Sequence, residues 1–144
     1  MAIAYRAYFA FIGHPLTNAR GENTSAVYGF VNAILLFLDK HKPDYAAVCF
    51  DTHAPTFRHE LYAPYKAQRQ AMPDDMIPQI QKIKDITKAY NIPQVELDGY
   101  EADDIIGTLS RMAEQMSIET IIVTPDKDFC QLVTKKSQAH APEG

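Results

Sequence analysis

Three short apolar runs, at residues 45–50, 92–97 and 120–124, alternate with longer stretches whose apolar residues recur every three to four positions. No other feature of this 144-residue chain restricts its fold so strongly. Short continuous runs read as strands buried on both faces, and the periodic stretches read as helices with one buried face. Residues 24–39 turn Val27, Phe30, Val31, Ile34, Leu35 and Leu38 to one side, with Asn23, Thr24 and Ser25 as capping groups. Residues 76–90 do the same with Ile80, Ile83, Ile86 and Tyr90. Residues 101–116 repeat it with Ile105, Ile106, Leu109, Met112 and Ala113, and a short helix opens at Phe129. The alternation predicts a single α/β three-layer domain on a parallel sheet with right-handed crossovers. Such sheets bind ligands beyond the carboxyl ends of their strands.

Acids gather at those ends. Asp51 follows the first run, Glu101, Asp103 and Asp104 open the helix after the second, and Asp126 and Asp128 follow the third. The formal charge of −4 hides this distribution: residues 96–128 hold nine acids against two bases, a net −7, and the remainder is weakly basic. Six carboxylates at one edge repel one another and raise each other's pKa, which a bound cation relieves. Donors that are all oxygen, without His or Cys, select hard ions such as Mg²⁺ or Mn²⁺. Two such ions would stabilise the attacking and leaving oxygens of an in-line phosphoryl displacement. Each acid also has a plain structural role open to it. First-turn acids complement a helix dipole, Asp126 suits an N-cap, and Asp51 suits a turn.

Residues 54–73 break the pattern, with three prolines and with Arg58, His59, Lys66 and Arg69 set among Phe57, Tyr62 and Tyr65. This is a long loop or helical excursion, either a solvated surface or a clamp that holds phosphates and stacks unpaired bases. No apolar stretch approaches the roughly 20 residues of a membrane span. The start carries Arg6 and no small-residue cleavage site, so it does not read as a signal peptide. Cys49 and Cys130 lack metal-type spacing and read as free thiols of a reducing cytoplasm.

Several segments resemble the 5′ nuclease domain of bacterial DNA polymerase I. They are Ala4-Tyr5-Arg6-Ala7-Tyr8-Phe9, Ala26-Val27-Tyr28-Gly29-Phe30, Phe50-Asp51-Thr52 and Ala54-Pro55-Thr56-Phe57-Arg58-His59-Glu60. Tyr65-Lys66-Ala67-Gln68-Arg69, Asp126-Lys127-Asp128 and, most specifically, Gly99-Tyr100-Glu101-Ala102-Asp103-Asp104-Ile105-Ile106-Gly107 complete the set. The resemblance covers nearly the whole chain. It implies a PIN-like, resolvase-like 5′ nuclease fold over 1–144 with a helical arch at about 54–75. It further implies a Mg²⁺-dependent 5′-3′ exonuclease and flap endonuclease, with Mn²⁺ as a substitute, two ions in the intact site, and metal-activated water as nucleophile. The substrate would be DNA with 5′ ends, flaps or nicks, in replication and repair.

By position, the resemblance makes Asp51, Glu101, Asp103, Asp104, Asp126 and Asp128 metal-site acids and gives Lys66 and Arg69 catalytic roles. Arg6, Arg58, Tyr65, Lys66 and Arg69 become DNA contacts. It also allows a polymerase domain on the same native chain, in a bacterial cytoplasm. The family has a strand ending in Asp-Gly before the equivalent of Met1, and a helix–hairpin region after the equivalent of Ala141-Pro142-Glu143-Gly144. On that comparison the first, central strand is expected to be missing and the isolated chain to be destabilised and weakly active or inactive. The alternative within the family is a non-catalytic remnant that binds branched DNA. Outside it stands a phosphate-handling α/β switch of receiver type, which would have no use for the basic excursion.

Overall fold

The computed structural model describes residues 1–62, 64–68, 70–134 and 137–142. Helix α1, Ala2–Ala10, is one that periodicity did not reveal. It buries Ala4 and Tyr8, one turn apart, against Ala26 and Phe30 of helix α2, Ser25–His41. Gly29 lets the two helices close: a Cβ there would stand 2.4 Å from the Cβ of Ala7. At its far end α2 stops at Lys42, a left-handed residue whose N–H bonds to Leu38 O.

The start of α2 meets the expected capping in part: the Asn23 side-chain oxygen accepts the Ser25 N–H at 2.9 Å. Thr24 makes no side-chain cap bond. Instead the fully buried Gln79 of helix α4, Ile77–Ala89, accepts from the N–H groups of Ala26 (2.9 Å) and Val27 (3.3 Å). Its amide nitrogen donates to Asp75 O at 3.0 Å, so a residue 53 positions away satisfies the helix start. The buried face of α4 is Gln79, Ile83 and Thr87, whereas Tyr90 is half exposed. Thr87 joins that face because its hydroxyl donates to Ile83 O, leaving no orphaned polar atom. Leu35 of α2 also points outward, and Ala33 takes the inner position.

Strand β1 is Val48–Cys49 and β2 is Gln94–Val95, paired in parallel with Val48 opposite Gln94. Strand β3, Thr120–Val123, pairs in parallel with β4, Ser137–His140. The polar sequence of β4 gave no strand signal. The parallel α/β character is as expected. Among the described residues the strands form two two-stranded sheets, and no described strand joins β1 to β3, in keeping with the expected lack of a central strand. Helix α5, Ala102–Gln115, packs on both β1 and β3 and spans the two halves. The short β1 also buries less than a two-faced strand, with Phe50 fully buried just beyond it and Val48 and Cys49 only partly covered.

Phe50, Met76 and Ile83 meet Ala4, Tyr8, Ala26 and Phe30 in the main core. At its rim the Tyr8 hydroxyl donates to Asp75 at 2.6 Å and the Asn23 amide donates to the other Asp75 oxygen at 2.8 Å. The first bond holds the Asp75 carboxyl below its ordinary range and pushes the Tyr8 phenol up. Among the described residues no helix is long and apolar enough to cross a membrane. Both cysteines are free thiols, and burial raises the pKa of Cys49.

Candidate metal centre

The site grows from the junction of β1 with α5. Asp51, two residues past β1, accepts the Ala102 N–H at 2.9 Å, so the strand-end carboxylate sits on the N-terminus of α5. Helix dipole and unpaired amide groups both favour an anion there. Glu101 is the N-cap of α5, and Asp103 and Asp104 occupy its first turn. Across the sheet, β3 runs through Thr124-Pro125 to Asp126, whose Oδ1 accepts the Asp128 N–H at 2.9 Å and caps the 3₁₀ helix Lys127–Leu132.

Asp103 remains reachable by solvent, yet the surrounding protein removes part of its hydration, and the charges of Asp51, Asp126 and Glu101 act on it. Its pKa is raised, first by that desolvation and then by those three charges. Four of the six expected acids are thus coupled by charge, and Asp104 has a different partner. Both oxygens of Asp104 are held by Arg58 instead: Nη2 to Oδ1 at 2.6 Å and Nη1 to Oδ2 at 2.7 Å. That fork pulls the Asp104 carboxyl below its usual range and pushes the guanidinium further up.

Among the described residues no three His, Cys, Asp or Glu side chains already stand in metal-holding geometry. Cationic and phenolic partners from the excursion account for part of this. Lys66 Nζ lies 2.8 Å from Glu101 Oε1, and the Tyr65 hydroxyl donates to Glu101 Oε2 at 3.2 Å. The donor set still fits a hard divalent ion, because all four grouped side chains are carboxylates and α5 holds two of them in one turn. To hold such an ion, Glu101 would have to release Lys66.

The described part of the excursion has the helical character that one of its two expected forms called for. It contains helix α3, Phe57–Leu61, and a turn around Lys66, whose φ of 55° is a left-handed backbone that a lysine rarely adopts. The Phe57 N–H bonds to the carbonyl of Gly99, itself at φ 85°, where a side chain would be strained. Several aromatics proposed for base stacking are already engaged. Phe57 packs on Tyr100 and under Arg58, and Tyr65 packs on His59 and beside Lys66. Tyr62 stays 63% exposed. His59, one of the basic residues of the excursion, and Tyr100 thus serve here as ring partners. Arg6 is exposed on α1, and no contact among the described residues ties it to the acids. Arg69 lies outside the described residues.

This arrangement defines a class: an α/β domain with carboxylates beyond two parallel strand pairs and a cation-bearing excursion bonded to them. The chain belongs to the 5′-3′ exonuclease family, matching its N-terminal resolvase-like domain over residues 1–141. It is 50% identical over 132 residues to DNA polymerase I of Chloroflexus aurantiacus, covering 92% of this chain and 14% of that protein. It is 42% identical over 134 residues to a 5′-3′ exonuclease of Aquifex aeolicus, covering 93% and 46% respectively. The chain thus spans less than half the length of these relatives.

In fold it is similar to T5 5′-exonuclease with divalent metal ions (zinc) bound, at a TM-score of 0.72 and 18% identity over 97% of this chain and 52% of that one. A bacteriophage T5 flap endonuclease in a pseudo-enzyme-product complex with DNA and metal ions gives 0.70 and 14%, with the same coverage.

Proposed function

We propose that this chain forms the metal-bearing part of a 5′ nuclease that hydrolyses DNA phosphodiesters as a 5′-3′ exonuclease and flap endonuclease. The observation that carries the reading is Asp51 bonded to the Ala102 N–H at the start of α5, beside Glu101 and Asp103 of the same turn, with Lys66 bonded to Glu101. Asp51, Glu101, Asp103 and Asp126 would hold Mg²⁺ or Mn²⁺, with Asp128 at the margin, and an intact site would hold two ions. When bound, the ions supply Lewis-acid activation of the phosphodiester and of the attacking water. Lys66, with Arg69, would then turn to the reacting phosphate, and Tyr65 and Arg58 would orient the 5′ strand. Family membership supports DNA with 5′ ends, flaps or nicks as substrate. The DNA polymerase I relatives support a polymerase domain on the same native chain; a bacterial cytoplasm is the setting proposed for it.

Cleavage of a 5′-flap oligonucleotide in Mg²⁺ tests this, with loss expected in Asp103→Asn. The second reading is a remnant that binds branched DNA without cutting it, held to DNA by the cations of the excursion. Flap binding in Ca²⁺ with no cleavage in Mg²⁺ or Mn²⁺ would favour that remnant. Failure to bind flap DNA under any of these conditions would contradict both.

A further inference from the structure

We propose that Asp104 is a positioning residue that pins the first leg of the excursion to α5 and ligates no metal. This rests on the nuclease reading and reassigns one of its acids. Asp104 accepts two bonds from Arg58 and a third, at 3.0 Å, from the Glu101 N–H, which fills most of a carboxylate's acceptor positions. Successive helical residues point about 100° apart, so Asp103 and Asp104 on α5 aim at different targets. Asp103 feels the charges of Asp51, Asp126 and Glu101, whereas Asp104 is bonded to Arg58 of α3.

The rest of the α3 junction reinforces the pin. Arg58 lies 4.4 Å over the Phe57 ring, the Phe57 N–H donates to Gly99 O at 3.0 Å, and Phe57 packs on Tyr100. The excursion is therefore fastened by a fork, a backbone bond and a ring contact to the turn that leads into the acids.

The other cation behaves differently. Lys66 meets Glu101 through a single point charge, whereas the guanidinium meets Asp104 with two parallel bonds. An ion that took Asp104 would break both bonds and leave a partly buried guanidinium unpaired. An ion that took Glu101 would displace one lysine nitrogen. The two arch cations thus divide the work: Arg58 sets where the arch begins, and Lys66 exchanges.

Two measurements on this chain test the assignment. In the first, Mn²⁺ is titrated and followed by electron paramagnetic resonance. Asp104→Asn is expected to keep the wild-type affinity within about twofold and the bound-ion line shape, while Asp103→Asn loses about tenfold or more. In the second, chemical unfolding of Arg58→Gln, Asp104→Asn and the double variant closes a thermodynamic cycle. Each single change is expected to lower the folding constant, the double to lower it little further, and the coupling to be about fivefold.

An affinity loss in Asp104→Asn equal to that in Asp103→Asn would overturn the proposal. So would additive single variants, or an Asp104→Asn that fails to fold while Arg58→Gln stays folded. Were Asp103→Asn and Asp51→Asn both to leave Mn²⁺ binding unchanged, the nuclease reading would fall, and the cycle would still decide the pin.

Discussion

Lys66 is the obvious phosphate clamp, and its removal should do more than slow a reaction. In the folded chain its ammonium lies 2.8 Å from Glu101, a carboxylate whose side chain is 11% exposed, while Lys66 itself is 36% exposed. Ion pairs of exposed groups contribute about 0.2–1 kcal/mol, and the burial of Glu101 puts this pair near the upper end, about 1 kcal/mol. A divalent ion binding through Glu101 must displace that contact, so Lys66 competes with the metal. Lys66→Met is therefore expected to raise Mn²⁺ affinity about fivefold, which is 1 kcal/mol expressed as an equilibrium constant. The Tyr65 bond to Glu101 survives the change and keeps the carboxylate oriented. Loss of one phosphate contact should at the same time reduce the slope of log K against log salt for flap DNA by about one. Paired Mn²⁺ and DNA titrations at constant pH read both effects. An unchanged or weakened Mn²⁺ affinity in Lys66→Met would refute the exchange.

Three other changes test the frame around the site. Gly29→Ala forces a methyl to 2.4 Å from Ala7 and should destabilise the chain by about 1–3 kcal/mol, read as a lowered unfolding midpoint. Gln79→Ala strands the Ala26 and Val27 N–H groups and should cost about 3 kcal/mol in urea unfolding, with lost helix signal at the start of α2 in hydrogen exchange. The pH profile carries two opposite signs. Asp103 has a folded pKa above its unfolded value, so the metal-free chain gains stability as pH falls through that raised range, and Asp103→Asn should erase the gain. Asp104 has a depressed folded pKa, so its pairing with Arg58 stabilises above the ordinary carboxylate range and is lost as pH falls through the lowered value. Thermal midpoints against pH, for wild type and Asp103→Asn, separate the two.

Helices α2, α4 and α5 were legible because periodicity is a local signal, and the strand-to-acid order was legible because each acid directly follows an apolar run. Helix α1 was not, since its buried pair Ala4 and Tyr8 is too sparse for a stripe, and its close contact depends on Gly29 in another element. Strand β4 was not, since Ser137-Gln138-Ala139-His140 has neither apolar alternation nor strand-forming residues. Gln79 shows how a periodic reading errs by one position: the polar residue faces inward because the α2 start needs its oxygen. Within the site, the sequence named six candidate acids but could not tell which of them Arg58 holds. The answer depends on a contact between Arg58 and Asp104, 46 positions apart, and on the helical angle between adjacent acids.

The central claim is that Asp51 and Asp103, brought together by the Asp51 bond to the α5 N-terminus, belong to one divalent-ion site. Thermal unfolding of the chain against Mn²⁺ tests it most directly, beside the Asp51→Asn, Asp103→Asn double variant. At a hundredfold excess over Kd the ion should stabilise the wild type by about 2.7 kcal/mol, and the double variant should show almost none of that gain. Equal stabilisation of both proteins, or none in the wild type, would contradict the account.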